Sequence, residues 1–355
     1  MSAGRSESER VMNERDDSTH HAVTMRDVAE AAGVSVSTVS HVVNDKKGAR
    51  IGKEARERVL RAVRELGYRP NAMAKVLVKG HSRFLGLVAD AIASTPFAGQ
   101  IIRGAQDEAW RHGYVLLVAN TEGNEAAETE AIAMMLEHKV RGVLYSAWYH
   151  RAVEPPPALA ETDCVLVNCF APGGALPAVV PDEVAGGQEA TRMLLAAGHR
   201  RIAFINTTSP SPAHDGRLQG YRQALADAGV PFDPSLVVDA QPDQEGGFEA
   251  IGPLLAQGAT GVFCHNDRVA MGVYDGVRER GLRVPQDLAV VGFDNQDVIS
   301  AHLRPPLSTV ALPHYELGRM GVRVLLGLDR PADDGRVVVD CPPVHRASVT
   351  AIAPA

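Results

Sequence analysis

The sequence predicts a small all-α head, a short connecting helix and a two-lobed α/β core built on parallel sheets. Three observations predict it. The 355 residues exceed what one hydrophobic core ordinarily organises, a limit of roughly 250–300 residues. From residue 84 onward, short apolar runs alternate with amphipathic helical segments, the signature of βαβ units. The charge is also split. Residues 23–83 hold 13 Lys and Arg against 6 Asp and Glu, a charge of +7, and residues 84–355 hold 20 against 32, a charge of −12. With −2 on the first 22 residues, these give the net −7 of the chain. A basic module on an acidic body points to a polyanion as partner of the module alone.

In chain order, residues 1–22 are polar and aperiodic, as expected of a disordered tail. They contain no apolar run of a signal peptide, and no run in the chain reaches the ~18 residues that span a bilayer, so a cytoplasmic protein without membrane contact is expected. His20 and His21 have no further ligands nearby, and no metal or cofactor is expected. Cys164, Cys169, Cys264 and Cys341 fit neither a disulfide framework nor a zinc site by spacing.

Order begins at Val23. Thr24 and Asp27 have the spacing of a capping box, Met25, Val28, Ala29 and Ala32 form an apolar face, and Gly33 ends the helix. Ser35 caps a second helix to about Asn44, with Val39, Val42 and Val43 inward. A third helix runs from about Lys53 to Leu66. Val59, Leu60, Val63 and Leu66 are expected in its core face, with Arg56, Arg58, Arg61 and Arg64 solvated. Two helices joined by a tight glycine turn, then a third, make a helix-turn-helix over residues 23–68. The outer face of the second helix suits a DNA major groove. Val36 can meet a thymine methyl, Ser37 can donate or accept, and His41 can donate to guanine. Thr24, Ser35, Thr38, Ser40 and Asn44 are candidates for phosphate contacts.

Pro70 blocks continuation of the third helix, and Asn71 can cap a short helix, AMAKVLVK, in a hinge segment 69–83. The core spans 84–350, with residues 351–355 a short tail. Its strands are read as FLGLVAD, YVLLVAN, VRGVLYSA, DCVLVN, RRIAFIN, SLVVDA, TGVFCH and LAVVGFD, with helices between them. This exceeds one doubly wound sheet, so two lobes are expected, with a ligand site in the cleft at the carboxyl ends of the strands. Neither GxSxG, P-loop, HExxH nor dinucleotide fingerprint occurs, which argues against an enzyme.

The segments VTMRDVAEAAGVSVSTVSHVVN and ELGYRPNAMAKVL, followed in order by GHRRIAFI, GRLQGYRQAL, CHNDRVAMG and VVGFDN, closely resemble the LacI/GalR family of bacterial transcriptional regulators over residues 23–350. The resemblance implies a helix-turn-helix head, a hinge helix and a core of the periplasmic-binding-protein type I kind, with lobe crossovers near residues 182, 312 and 340. It implies a repressor acting on a pseudo-palindromic DNA operator as a homodimer in the cytoplasm, at the nucleoid, under control of a small molecule. An activator or a co-regulator-dependent member is the alternative, and a solute-binding protein a weaker one. Val36, Ser37 and His41 fall on the base-reading positions. Leu77 falls on the hinge leucine that wedges into the minor groove, or packs paired hinge helices, with Ala74 and Lys75 on the groove side. For the effector, Arg217, Asn266, Asp294 and Phe97 fall on cleft positions. Asp182 either touches ligand or fixes the crossover. Trp148, with Tyr145 and Tyr149, is read from the sequence as a further aromatic surface. Pro242 stands where many relatives place an aromatic. One aromatic face with Arg, Asn and Asp favours a sugar.

Overall fold

The computed structural model describes residues 23–44, 50–68, 81–95 and 98–352. The expected tail 1–22, part of the loop after Asn44, the hinge residues Ala74, Lys75 and Leu77, and Phe97 lie outside the described residues. The chain falls into two compact units, a head and a core.

The head holds α1 (Met25–Ala32), α2 (Val36–Val43) and α3 (Lys53–Glu65). Thr24 and Asp27 close a capping box: the Asp27 carboxylate accepts from the Thr24 backbone N–H at 2.7 Å, and the Thr24 hydroxyl accepts from the Asp27 N–H. Gly33 adopts φ 61°, the left-handed conformation that reverses the chain after α1. Ser35 Oγ then accepts from the Thr38 N–H at 3.2 Å and opens α2. Val28, Ala29, Ala32, Val39, Val42, Val59, Ala62 and Tyr68 form the buried core. Two expectations are corrected. Leu60 and Leu66 are each 38% exposed. The inward stripe of α3 is centred on Val59 and Ala62, and Leu60 is turned about 100° from Val59, too far for so small a head to cover. Arg58 is not merely solvated, since its Nε donates to the Ala32 carbonyl at the end of α1 at 3.0 Å.

The first lobe of the core contains β1 (Phe84–Ala89), β2 (Val115–Asn120), β3 (Val143–Ala152), β4 (Cys164–Phe170), β5 (Ala178–Pro181) and β11 (Arg336–Val339), in the order β11-β5-β4-β3-β1-β2. All five pairings are parallel. The second lobe contains β6 (Ile202–Thr207), β7 (Val237–Ala240), β8 (Gly261–Cys264), β9 (Ala289–Asp294), β10 (Ser308–Ala311) and β12 (Pro343–Val344), in the order β12-β10-β9-β8-β6-β7. Only β12 is antiparallel to its neighbour. The two sheets therefore repeat one topology. Their central strands are buried on both faces, which is why they read as unbroken apolar runs.

Helices α4 (Gly99–Arg111) and α5 (Glu125–Glu137) belong to the first lobe, as does α11 (His314–Leu325), which packs on α4. Helices α6 (Glu183–Ala196), α7 (Pro212–Asp227), α8 (Gln244–Ala256), α9 (Asp267–Glu279) and the short α10 (Asp297–Ser300) belong to the second. The chain passes between lobes three times: from β5 into α6, from β10 into α11, and from β11 into β12. Close helix pairs meet through glycines. A Cβ on Gly272 of α9 would lie 1.8 Å from the Gln244 carbonyl oxygen of α8, so these two backbones touch only because the side chain is absent. The helix-turn-helix head and the two-lobed α/β core read from the sequence are the ones observed. Among the described residues no helix is long and apolar enough to cross a membrane.

Candidate functional site

In each sheet the strand order reverses beside the first strand, at β1/β3 and at β6/β8. Helices leave such a point toward opposite faces and open a crevice at the carboxyl ends of the strands. The two crevices face one cleft of about 210 Å³. Its lining comes from strand ends and the residues just beyond them: Trp148, Tyr149 and His150 of β3, Thr207 of β6, His265 and Asn266 after β8, Asp294 of β9 and Leu312 after β10.

The β3 residues reach the cleft through an irregularity. Ser146 pairs with Val167 and Arg151 with Cys169, so residues 147–150 oppose the single residue Asn168, which sits at φ 58°. Ser146 Oγ donates to the Val167 carbonyl at 2.9 Å, and Asn168 Nδ2 to the Ala147 carbonyl at 3.0 Å, closing the bulge. A bulge re-aims side chains, and here it presents three in succession. The Trp148 and Tyr149 rings meet edge to face with centroids 4.8 Å apart. Tyr145, before the bulge, packs in the hydrophobic layer behind and does not line the cleft.

Arg217 is 3% exposed. Its Nε donates to Glu183 Oε2 at 2.9 Å, its Nη1 to the His265 carbonyl, and its Nη2 lies 3.9 Å from Asp294 Oδ1. The guanidinium also lies 3.6 Å from the centroid of the Phe293 ring. Burial would lift the Glu183 carboxyl, but Arg217 and the His150 hydrogen bond outweigh it and hold the group below the ordinary glutamate value. At Asp294 burial wins over the pull of Arg217, and the carboxyl is raised. His265 is pushed well down by burial and the nearby cations, so it stays neutral. His150 completes the group: its Nδ1 lies 3.3 Å from Glu183 Oε1, and its Nε2 is buried without a hydrogen-bond partner among the described residues.

The structure therefore brings Trp148, Arg217, Asn266 and Asp294 together. Asn266 also caps α9, accepting from the Val269 N–H at 2.9 Å, and its Nδ2 donates to the Pro242 carbonyl at 3.1 Å. Asp182 lies outside the lining. Its Oδ1 accepts from the Ala185 N–H at 2.8 Å, so it is a helix cap at the crossover, and its neighbour Glu183 faces the cleft instead. Pro242 lines the cleft where an aromatic was missing from the sequence pattern. Sequence reasoning missed His150, Glu183 and Arg268. Glu183 was within reach, because the strand-ending VVPDE places a glutamate directly after a capping aspartate. Among the described residues, no group of three His, Cys, Asp or Glu is placed to hold a metal ion.

In the head, Val36 (44% exposed), Ser37 and Asn44 lie open on α2, with Thr38, Ser40 and His41 half-buried. Ser35 Oγ also lies 2.8 Å from Ser37 Oγ and 2.9 Å from Thr38 Oγ1, and Asn44 Nδ2 donates to the Ser40 carbonyl at 2.9 Å. These bonds hold the small polar groups of the face in fixed directions. Thr24 is occupied as the α1 cap.

A family model described as bacterial regulatory proteins, lacI family, matches residues 24–71, and one for a periplasmic binding protein-like domain matches residues 191–349. The chain is 33% identical over 319 residues to the ribose operon repressor of Haemophilus influenzae, covering 89% of this chain and 95% of that one. A solved complex of the transcriptional regulator CelR with cellobiose is 30% identical, with a TM-score of 0.63 over 92% of this chain and 99% of that chain. The lac repressor dimer bound to operator and the anti-inducer ONPF is 25% identical, with a TM-score of 0.71 over 93% and 99%.

Proposed function

Because the chain belongs to the LacI family of bacterial regulatory proteins, we propose that it is a repressor whose affinity for a two-fold DNA operator is set by a neutral carbohydrate bound between the core lobes. The protein is a DNA-binding transcriptional regulator, and the remaining assignments are made residue by residue. Val36, Ser37 and His41 read base edges, while Ser35, Thr38, Ser40 and Asn44, with the first turn of α1 after Thr24, meet phosphates. Leu77 opens the minor groove at the operator centre, with Ala74 and Lys75 beside it. Two-fold symmetry of the operator calls for a homodimer, as in the lac repressor dimer bound to its operator. Acting on chromosomal DNA places it in the cytoplasm at the nucleoid.

The observation that carries the effector class is the composition of the cleft. Two guanidinium groups, Arg217 and Arg268, stand against two carboxyls, Glu183 and Asp294, so the formal charges cancel. Trp148 and Tyr149 supply an aromatic wall, and Asn266, Thr207 and Ser209 supply uncharged polar groups. A charge-balanced site with an aromatic face and several polar groups suits a polyol better than a phosphorylated ligand. The relative that binds cellobiose and the one named for a ribose operon agree with this.

Binding to one lobe arrangement shifts its population, and the shift is felt at the operator as a coupling free energy of about 1–3 kcal/mol. The test is fluorescence anisotropy of the full chain on an operator selected from random duplexes, with and without D-ribose, D-galactose, D-glucose and cellobiose. One of these sugars is expected to change the operator Kd by about 5- to 150-fold. A response confined to sugar phosphates or nucleosides would overturn the carbohydrate assignment.

A further inference from the structure

We propose that His150 is a specificity-determining residue of the cleft, its Nε2 accepting a hydrogen bond from one hydroxyl of the neutral effector. The inference deepens the carbohydrate reading above and rests on it. His150 belongs to β3 of the first lobe, and Glu183 opens α6 of the second, so the 3.3 Å contact between Nδ1 and Oε1 crosses the cleft. A carboxylate can only accept, and Glu183 is held ionised by Arg217, so the proton of the singly protonated ring sits on Nδ1. The lone pair is then on Nε2. The ring is fixed in this pose from the other side by Phe170, edge to face at 5.8 Å between centroids. His150 is 7% exposed and lines the cleft, and its Nε2 is buried with no hydrogen-bond partner among the described residues. A buried acceptor left unsatisfied on a residue of the cleft wall is a place for a donor. The charged groups that line the cleft with it are Glu183 of α6, Arg217 of α7, Arg268 of α9 and Asp294 of β9, two of each sign, and a site without net formal charge favours a neutral donor. A hydroxyl fits; a phosphate or carboxylate, which only accepts, does not.

The bond has a second consequence. A hydroxyl donating to Nε2 polarises the ring and strengthens the Nδ1–H bond to Glu183, so the effector tightens a contact that joins the two lobes.

The test is isothermal titration of the full chain with the neutral sugar that responds best among D-ribose, D-galactose, D-glucose and cellobiose, and with its series of monodeoxy analogues. His150→Phe keeps a ring and removes both nitrogens; His150→Gln restores an acceptor and is the second variant should the first not fold. For wild type, one deoxy analogue is expected to bind about 10- to 100-fold more weakly than its parent. His150→Phe is expected to lose the same factor for the parent and nothing further for that analogue, and His150→Gln to recover part of it. Equal losses for the parent and every analogue would make His150 a structural residue and overturn the proposal. A phosphorylated sugar binding more tightly than its neutral parent would overturn it too. No binding by any of the four sugars would instead remove the carbohydrate reading on which it stands.

Discussion

Arg217 shows how much a single buried cation organises in this core. It bonds Glu183, the His265 carbonyl and, more distantly, Asp294, while its flat face rests on Phe293. Replacing it by methionine keeps much of the volume and removes the charge, which leaves Glu183 buried with His150 as its remaining side-chain hydrogen-bond partner among the described residues. Breaking a buried pair in this way destabilises by about 3–5 kcal/mol. Arg217→Met should lower the free energy of the core unfolding transition in urea by that amount, and a loss below about 1 kcal/mol would mean that water reaches Glu183 freely. The residues legible in the sequence were those that chain order or the family resemblance places. Asn266 follows β8 and Asp294 ends β9, so fold logic puts both at a cleft, and the resemblance adds Arg217 of α7. His150 was not legible, because its role arises from a four-residue bulge in β3 and from a contact with Glu183 between lobes, neither of which leaves a local pattern.

At the level of elements, sequence periodicity was sufficient wherever an element buries a wide apolar face. Helices α4, α7 and α9 and the central strands of both sheets are of this kind. The elements that escaped are short or weakly signalled. β5, β10 and β11 have four residues each and β12 has two; β7 and β8 are as short, but each stands between two helices that were read from the sequence. α11 opens at Pro313 without a side-chain cap. Helix packing adds a demand that periodicity does not express, namely glycine at the points where backbones touch. Gly272→Ala forces a methyl to 1.8 Å from the Gln244 carbonyl oxygen, and backbone cannot swing aside as a flexible side chain can. The substitution should destabilise the core by about 3 kcal/mol through separation of α8 and α9. Gly281→Ala is the control. It meets nothing within 4 Å and bears only the strain of φ 71°, about 1–2 kcal/mol. Thermal melts of the two variants should rank in that order, and the reverse ranking would mean that α8 and α9 shift apart at little cost.

For the core as a whole, burial of histidines sets the acid limit of stability. His199, His265 and His314 are each held below the ordinary histidine value, chiefly by burial, and His314 falls to about 4. The folded chain keeps these rings neutral, whereas the unfolded chain protonates them below about pH 6.5. The unfolded state therefore binds more protons in this window, and stability falls as pH falls. The contribution is intact above about pH 6.5 and, for His314, is lost progressively down to about pH 4. Asp267 and Asp294 act in the opposite direction. Burial raises both carboxyls, so the folded state takes up protons that the unfolded state does not, which returns part of the loss. Glu183, held low by Arg217, adds a further loss only below about pH 4.3. A difference measurement isolates one histidine from these opposing groups. Between pH 6.5 and pH 5, His314 alone should remove about 2 kcal/mol, at about 1.4 kcal/mol per pH unit. Urea unfolding at the two pH values should therefore show a drop about 2 kcal/mol smaller in His314→Asn than in wild type. Equal drops would mean that the folded core protonates His314 as readily as the unfolded chain does, and the acid limit would then rest on His199 and His265.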